Sequence, residues 1–171
     1  DNTKRRSRQK YPCIIAFNDI DRDGRVDIVA SQSRGSLVNM ESRTFLFFGK
    51  DNALEKGRPS MEFKTGDTVM GVFIRDINND GLLDLVLPTI DLGAWTTGKA
   101  LITGRITVKW NYFIQSSDHN FSQTPDHYSN TSIKYNIGEL RLVSGLPNVF
   151  GDFNGDGYLD QAVGEGENLL V

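Results

Sequence analysis

The sequence predicts an all-β protein built from repeated four-stranded antiparallel units. Three observations predict it. Short apolar runs rich in β-branched and aromatic residues recur along the chain, partly at period-two spacing. Three segments align without gaps: "FNDIDRDGRVDIVAS" from Phe17, "IRDINNDGLLDLVLP" from Ile74 and "FGDFNGDGYLDQAVG" from Phe150. No stretch carries a convincing amphipathic helical pattern.

The strand signals flank the repeats. "CIIAF" and "GVFI" precede the first two, and "VDIVA", "LLDLVL" and "YLDQAV" follow the three. "RTFLFFG" (43–49) is a further strand, closed by Gly49. "ALITGRITVKWNYFI" (100–114) reads as the longest, with Ile102, Ile106, Val108, Trp110 and Tyr112 mostly on one face. "SIKYNI" (132–137) would pair near it. The polar stretch "QSSDHNFSQTPDHYSN" between them lacks periodicity and reads as an exposed loop. The first aspartates of the repeats are 57 and 76 residues apart, so the unit is about sixty residues and the second copy carries an insertion. This divides the chain into a basic leader (1–10), a first repeat (11–66), a second with a long insertion (67–145) and the start of a third (146–171).

Composition limits the functional classes. With 38% hydrophobic and 24% charged residues among 171, the chain reads as globular rather than disordered. No run of eighteen apolar residues marks a membrane span, and the start lacks a signal peptide. Beginning at Asp1 without Met, the sequence reads as processed or as a segment of a longer polypeptide. The lone Cys13, in "PCIIAF", excludes a disulfide scaffold and reads as a small buried hydrophobe. "DNTKRRSRQK" holds five basic residues but no aromatic, so a solvated leader is expected rather than a nucleic-acid site. Asn120 ("NFS") and Asn130 ("NTS") fit the glycosylation triplet, which matters only in a eukaryote.

Each repeat reads D-x-[DN]-x-D-G-x-x-D. Carboxylates this crowded either rise in pKa or hold a cation. Alternate oxygen donors with Gly at position six describe a loop wrapping Ca²⁺, which takes six to eight mixed oxygen ligands. The candidate ligands are Asp19, Asp21, Asp23 and Asp27 with the Arg25 carbonyl; Asp76, Asn78, Asp80 and Asp84 with the Leu82 carbonyl; and Asp152, Asn154, Asp156 and Asp160 with the Tyr158 carbonyl. Ten of the 22 acidic residues fall in these loops, so the rest of a chain of net charge −3 carries +7. Mg²⁺ fits less well because it demands octahedral geometry, and Zn²⁺ less still because no Cys or His joins the cluster. One such loop alone also describes a solvated Asx/Gly turn. Three, each at the same place relative to strands, favour the ion. An EF-hand is excluded: position twelve, where it needs Glu, holds Ala30, Leu87 and Val163, and the flanks are strands.

These residues resemble the FG-GAP/VCBS repeats of integrin α-subunit heads and of many secreted bacterial proteins. "FIRDINNDGLLDLVLP" and "VFGDFNGDGYLDQAVGEG" carry the pattern, and "FLFFG" (45–49) looks like its Phe-Gly element. The match is poor over 90–145. The resemblance implies a β-propeller of four-stranded blades, with the calcium loop between the first two strands of each. Two and a half blades cannot close a ring. More repeats of the same polypeptide, or neighbouring chains, are therefore the expected partners. Two functions follow. One is a non-enzymatic, calcium-stabilised, extracellular, cell-surface or periplasmic module for adhesion, assembly or binding of a protein or glycan. Its recognition loop would lie near 116–132, with Trp95, His119, Phe121, His127 and Tyr128 exposed. The alternative is a propeller of, or appended to, a polysaccharide-acting lyase or hydrolase. Only the pairs Asp118–His119 and Asp126–His127 would suit catalysis, and no hydrolase, metalloprotease or P-loop motif is present.

Overall fold

The computed structural model describes residues 13–36, 39–51, 57–136, 141–142, 149–156, 160–165 and 168–170. The basic leader and Tyr158 lie outside them.

The first sheet is a meander of β1 (Cys13–Asn18), β2 (Asp27–Ser36), β3 (Asn39–Phe47) and β4 (Met61–Phe63), all antiparallel. The second contains β5 (Thr68–Val69), β6 (Phe73–Arg75), β7 (Asp84–Ile90), β8 (Arg105–Phe113), β9 (His127–Asn136) and β10 (Arg141–Leu142). Both β5 and β6 pair with β7, Thr68 opposite Ile90 and Phe73 opposite Val86, so they are one interrupted edge strand. The third comprises β11 (Val149–Gly151), β12 (Asp160–Glu165) and β13 (Asn168–Leu170). Each repeat loop joins the first long pair of its sheet, with Asn18 opposite Asp27, Arg75 opposite Asp84 and Gly151 opposite Asp160. The architecture is all-β, in keeping with part of a propeller.

The first two sheets are copies in register. Asp27 and Asp84 open equivalent strands, so Val29 corresponds to Val86 and Ile28 to Leu85. Alternation sends Val29 and Leu46 to one face of the first sheet, and Leu85, Leu87 and Phe113 to the opposite kind of face on the second. These residues meet in one core with Ile20, Phe48, Phe63, Val69 and Phe121. Unlike faces therefore stack, head to tail. The Phe63 ring meets Phe113 and Phe121 edge-on, at centroid distances of 4.9 and 5.6 Å. Truncating such a side chain to Ala costs about 3–5 kcal/mol. A polar seam completes the contact: Val69 N–H donates to Ser42 Oγ at 2.8 Å, and Ser42 Oγ also bonds Ser33 Oγ. The second sheet's other face carries Val86, Val108, Trp110 and Ile133, all buried.

Four expectations are corrected. Residues 100–103 are not strand: α1 (Ala94–Thr103) ends there, Gly104 caps it in a left-handed conformation, and β8 starts at Arg105. Ile102 is accordingly exposed instead of sharing a strand face with Ile106. The stretch 115–130 is not wholly an exposed loop, because Gln115 is buried and β9 begins at His127. Phe121 is not an exposed recognition residue: 8% exposed, it fills the core between the two sheets. Cys13 is exposed at the start of an edge strand, not buried.

Candidate metal sites

In the first loop, backbone N–H groups organise the carboxylates. Gly24 donates to Asp19 Oδ2 (3.0 Å) and Arg25 to Asp23 Oδ1 (2.8 Å). Asp27 is fully buried and takes two donors, Ile20 N–H on Oδ2 (2.7 Å) and Gly49 N–H on Oδ1 (2.8 Å). Burial raises its pKa, against the lowering effect of these bonds; the nearby Asp21 raises it further. Carboxylate oxygens of Asp19, Asp21 and Asp27 lie within 4.8 Å of one another. This acidic cluster could hold a metal ion.

Two observations fit a cation there. Asp19 Oδ1 and Asp21 Oδ1 are buried oxygens with no hydrogen-bond donor, although such groups are normally satisfied. Lys50 Nζ forms an ion pair with Asp21 Oδ2 at 2.6 Å. An ammonium thus occupies the edge of the cluster. A divalent ion would satisfy both bare oxygens with the hard donors that Ca²⁺ prefers.

The second loop repeats the frame with one carboxylate fewer. Gly81 N–H donates to Asp76 Oδ2 (2.8 Å) and Leu82 N–H to Asp80 Oδ1 (2.8 Å). Buried Asp84 accepts from Ile77 N–H (2.9 Å) and Gln115 N–H (2.9 Å), and burial raises its pKa as well. Asn78, which stands where the first loop has Asp21, donates through Nδ2 to Asp80 Oδ2 (2.8 Å). The third loop does the same: Asn154 Nδ2 reaches Asp156 Oδ2 (3.1 Å), Asp152 Oδ1 accepts from Gly155 and Asp156, and Asp160 from Phe153. Position four is left-handed in all three loops, at Arg22 (φ 57°), Asn79 (φ 58°) and Gly155 (φ 79°). Asn and Gly adopt that region readily, whereas it costs Arg more.

Among the described residues, the predicted donors Asp19, Asp21 and Asp27 converge within 4.8 Å, and position nine does more than the spacing implied. Asp27 and Asp84 each staple the start of the loop to the residue just past the third strand, Gly49 or Gln115. This gives the Phe-Gly element a reason: a Cβ on Gly49 would sit 2.7 Å from the Val26 carbonyl oxygen. Gln115 also links the loops, since its Nε2 donates to the Ile20 carbonyl at 3.3 Å. Lys50 had no signal in the sequence, since a lysine after a strand is ordinary.

The two Asp–His pairs are occupied otherwise. Asp118 accepts from Ser116 Oγ and Asn120 Nδ2, bonds that hold its carboxyl below the usual range. Asp126 accepts from Ile114 N–H and Ser122 Oγ. His119 sits half-buried in a turn at φ 60°, while His127 and Tyr128 are exposed at the start of β9. No helix among the described residues is long and apolar enough to cross a membrane.

No curated protein and no solved structure matches the chain. A family model does: the FG-GAP-like repeat, over residues 19–87. That span starts at the first aspartate of the first loop, crosses the Asp27–Gly49 staple and ends in β7, beyond the second loop. Over residues 19–87, the chain is similar to the FG-GAP-like repeat.

Proposed function

We propose that the chain is a calcium-stabilised β-propeller module, non-enzymatic, serving adhesion, assembly or ligand binding outside the cytosol. The single observation that carries the reading is the pair of buried, donorless oxygens on Asp19 and Asp21. Ions in the three loops, held by the side chains named above with the position-seven carbonyls, would cross-link adjacent strands and add their binding free energy to folding. Rigid oxygen sites of modest affinity fill at millimolar extracellular calcium and stay empty in the cytosol. Assembly is supported by the outer face of the first sheet, where Ile15 and Phe17 are 51% and 63% exposed. In the second sheet the equivalent face is covered by its predecessor, so another blade, of the same polypeptide or a neighbouring chain, suits this one. A non-enzymatic role is supported by the hydrogen bonds that commit Asp118 and Asp126 to their own loops.

Calorimetry in EDTA and in millimolar calcium tests the reading. Calcium should raise the melting temperature, with about 2.7 kcal/mol per site at a hundredfold excess over Kd. Asp80→Ala should remove one bound ion. An unchanged stoichiometry in that variant, or no calcium-dependent stabilisation, contradicts the reading.

A further inference from the structure

The two complete sheets differ in the connection between their middle strands. Two residues separate β2 from β3, whereas 91–104 separate β7 from β8 and contain α1. Adjacent antiparallel strands need a connection of only about two to five residues. Nor does α1 serve the core: none of its side chains is buried, and Trp95 is 85% exposed. The helix is pinned at its ends. Asp91 accepts from Gly93 N–H (2.7 Å) and Thr96 Oγ1 (2.6 Å), and Gly104 N–H donates to the Ala100 carbonyl.

What α1 forms is a wall. Between it and the second sheet lies a cleft of about 520 Å³, within the usual range of about 300–1,000 Å³ for small-molecule sites. Its floor is the Leu85 face of the sheet, beyond the part that the first sheet covers. There the alternation continues with Thr89, Arg105, Thr107 and Lys109 in place of Leu85, Leu87 and Phe113. The charges are unequal: Lys99, Arg105 and Lys109 face Asp67 and Asp91. Asp91 is committed to the helix end, which leaves Asp67 as the acid with spare hydrogen-bonding capacity. Lys109 Nζ is steadied 4.6 Å above the Tyr128 ring. Of the five lining Thr and Ser residues, Thr89, Thr96 and Thr103 donate their hydroxyl protons within the protein, which leaves Thr107 and Ser132 for a ligand.

We propose that this cleft binds an acidic saccharide. The Trp95 indole offers a flat apolar surface to the C–H face of a sugar ring. The Thr107 and Ser132 hydroxyls and Asp67 match sugar hydroxyls, and the three cations match a sugar carboxylate or sulfate. A bare inorganic anion would leave the indole and hydroxyls without a role, and a neutral sugar would leave the cations without one. The inference does not depend on ions in the repeat loops.

Isothermal titration and tryptophan emission on the full chain in calcium test it. The probes are trigalacturonate, a sulfated heparin disaccharide, neutral maltotriose and inorganic sulfate. One acidic saccharide should bind with Kd below about 1 mM and shift the emission. Trp95→Ala and Lys99→Glu, both at exposed positions, should keep the melting temperature and weaken binding about tenfold each. Maltotriose and sulfate should bind at least about tenfold more weakly. Which acidic probe binds identifies the anion as carboxylate or sulfate. The proposal fails if neither binds at about 10 mM, if either variant binds unchanged, or if maltotriose or sulfate binds as well.

Discussion

The first and second repeat loops share a backbone and differ in how their negative charge is met. Both are closed by a buried aspartate, Asp27 or Asp84, holding the N–H at loop position two and an N–H past the third strand. Within that frame the first loop puts Asp21 beside Asp19 and draws in an ammonium, Lys50. The second replaces that aspartate with Asn78, whose own amide reaches Asp80. One loop borrows a positive charge from outside; the other lowers its charge and closes on itself. The comparison teaches that the frame persists when the charge at position three changes. Position nine supports the fold in both loops, while position three, Asp21 or Asn78, makes the electrostatic difference.

Breaking the frame should have the largest effect. Asp27→Ala leaves the buried Ile20 N–H and the half-buried Gly49 N–H without their charged acceptor and should cost about 3 kcal/mol even in EDTA. Asp84→Ala should match it, and urea denaturation with EDTA checks both. A loss seen only with calcium present would make position nine a simple ligand and not a support of the fold.

Opposite pH responses come next. Burial raises the pKa of Asp27 and Asp84 in the metal-free fold, so the native state holds protons that the unfolded chain has released. Metal-free stability should therefore fall as pH rises from about 4 through the folded-state values, and then level off. With calcium the slope should reverse, because protons compete with the ion for carboxylates. Melting temperatures at pH 4.5 and 7, with EDTA and with calcium, should shift in opposite directions.

Lys50→Met sharpens the contrast between the loops. Removing the resident ammonium should tighten calcium binding in the first loop about fivefold and leave the second unaltered. Titrations in an Asp80→Ala, Asp156→Ala background isolate the first site. Equal affinity with and without Lys50 would mean that the ammonium does not compete.

The smallest expected effect belongs to Arg22. Its left-handed backbone disfavours a long side chain, so Arg22→Asn should stabilise the protein by about 0.5 kcal/mol, whereas Asn79→Arg should destabilise it comparably. Chemical denaturation resolves the pair, and effects of the same sign would refute the argument from position four.

The loops and most strands were legible because their code is local: alternate oxygen donors, a turn-forming Gly and period-two apolar runs. What escaped the sequence depends on distant partners. Gly49 and Gln115 become equivalent only when two strands deliver them to Asp27 and Asp84. Phe121 looked exposed because its surroundings are polar, yet it packs on Phe63, 58 residues upstream. The helix at Ala94–Thr103 buries none of its side chains and contains Thr96, Thr97 and Gly98, so neither core patterning nor propensity announces it. Cys13 sits in an apolar run but on an edge strand, so one-dimensional hydrophobicity overstated its burial.

The central claim is that the bare carboxylate oxygens of the first loop are made for a divalent ion. A crystal structure of the chain grown in millimolar calcium tests it directly. The account predicts an ion at about 2.3–2.6 Å from oxygens of Asp19 and Asp21, with the Lys50 ammonium displaced toward solvent. Lys50 still seated against Asp21, with only water between Asp19 and Asp27, would contradict it.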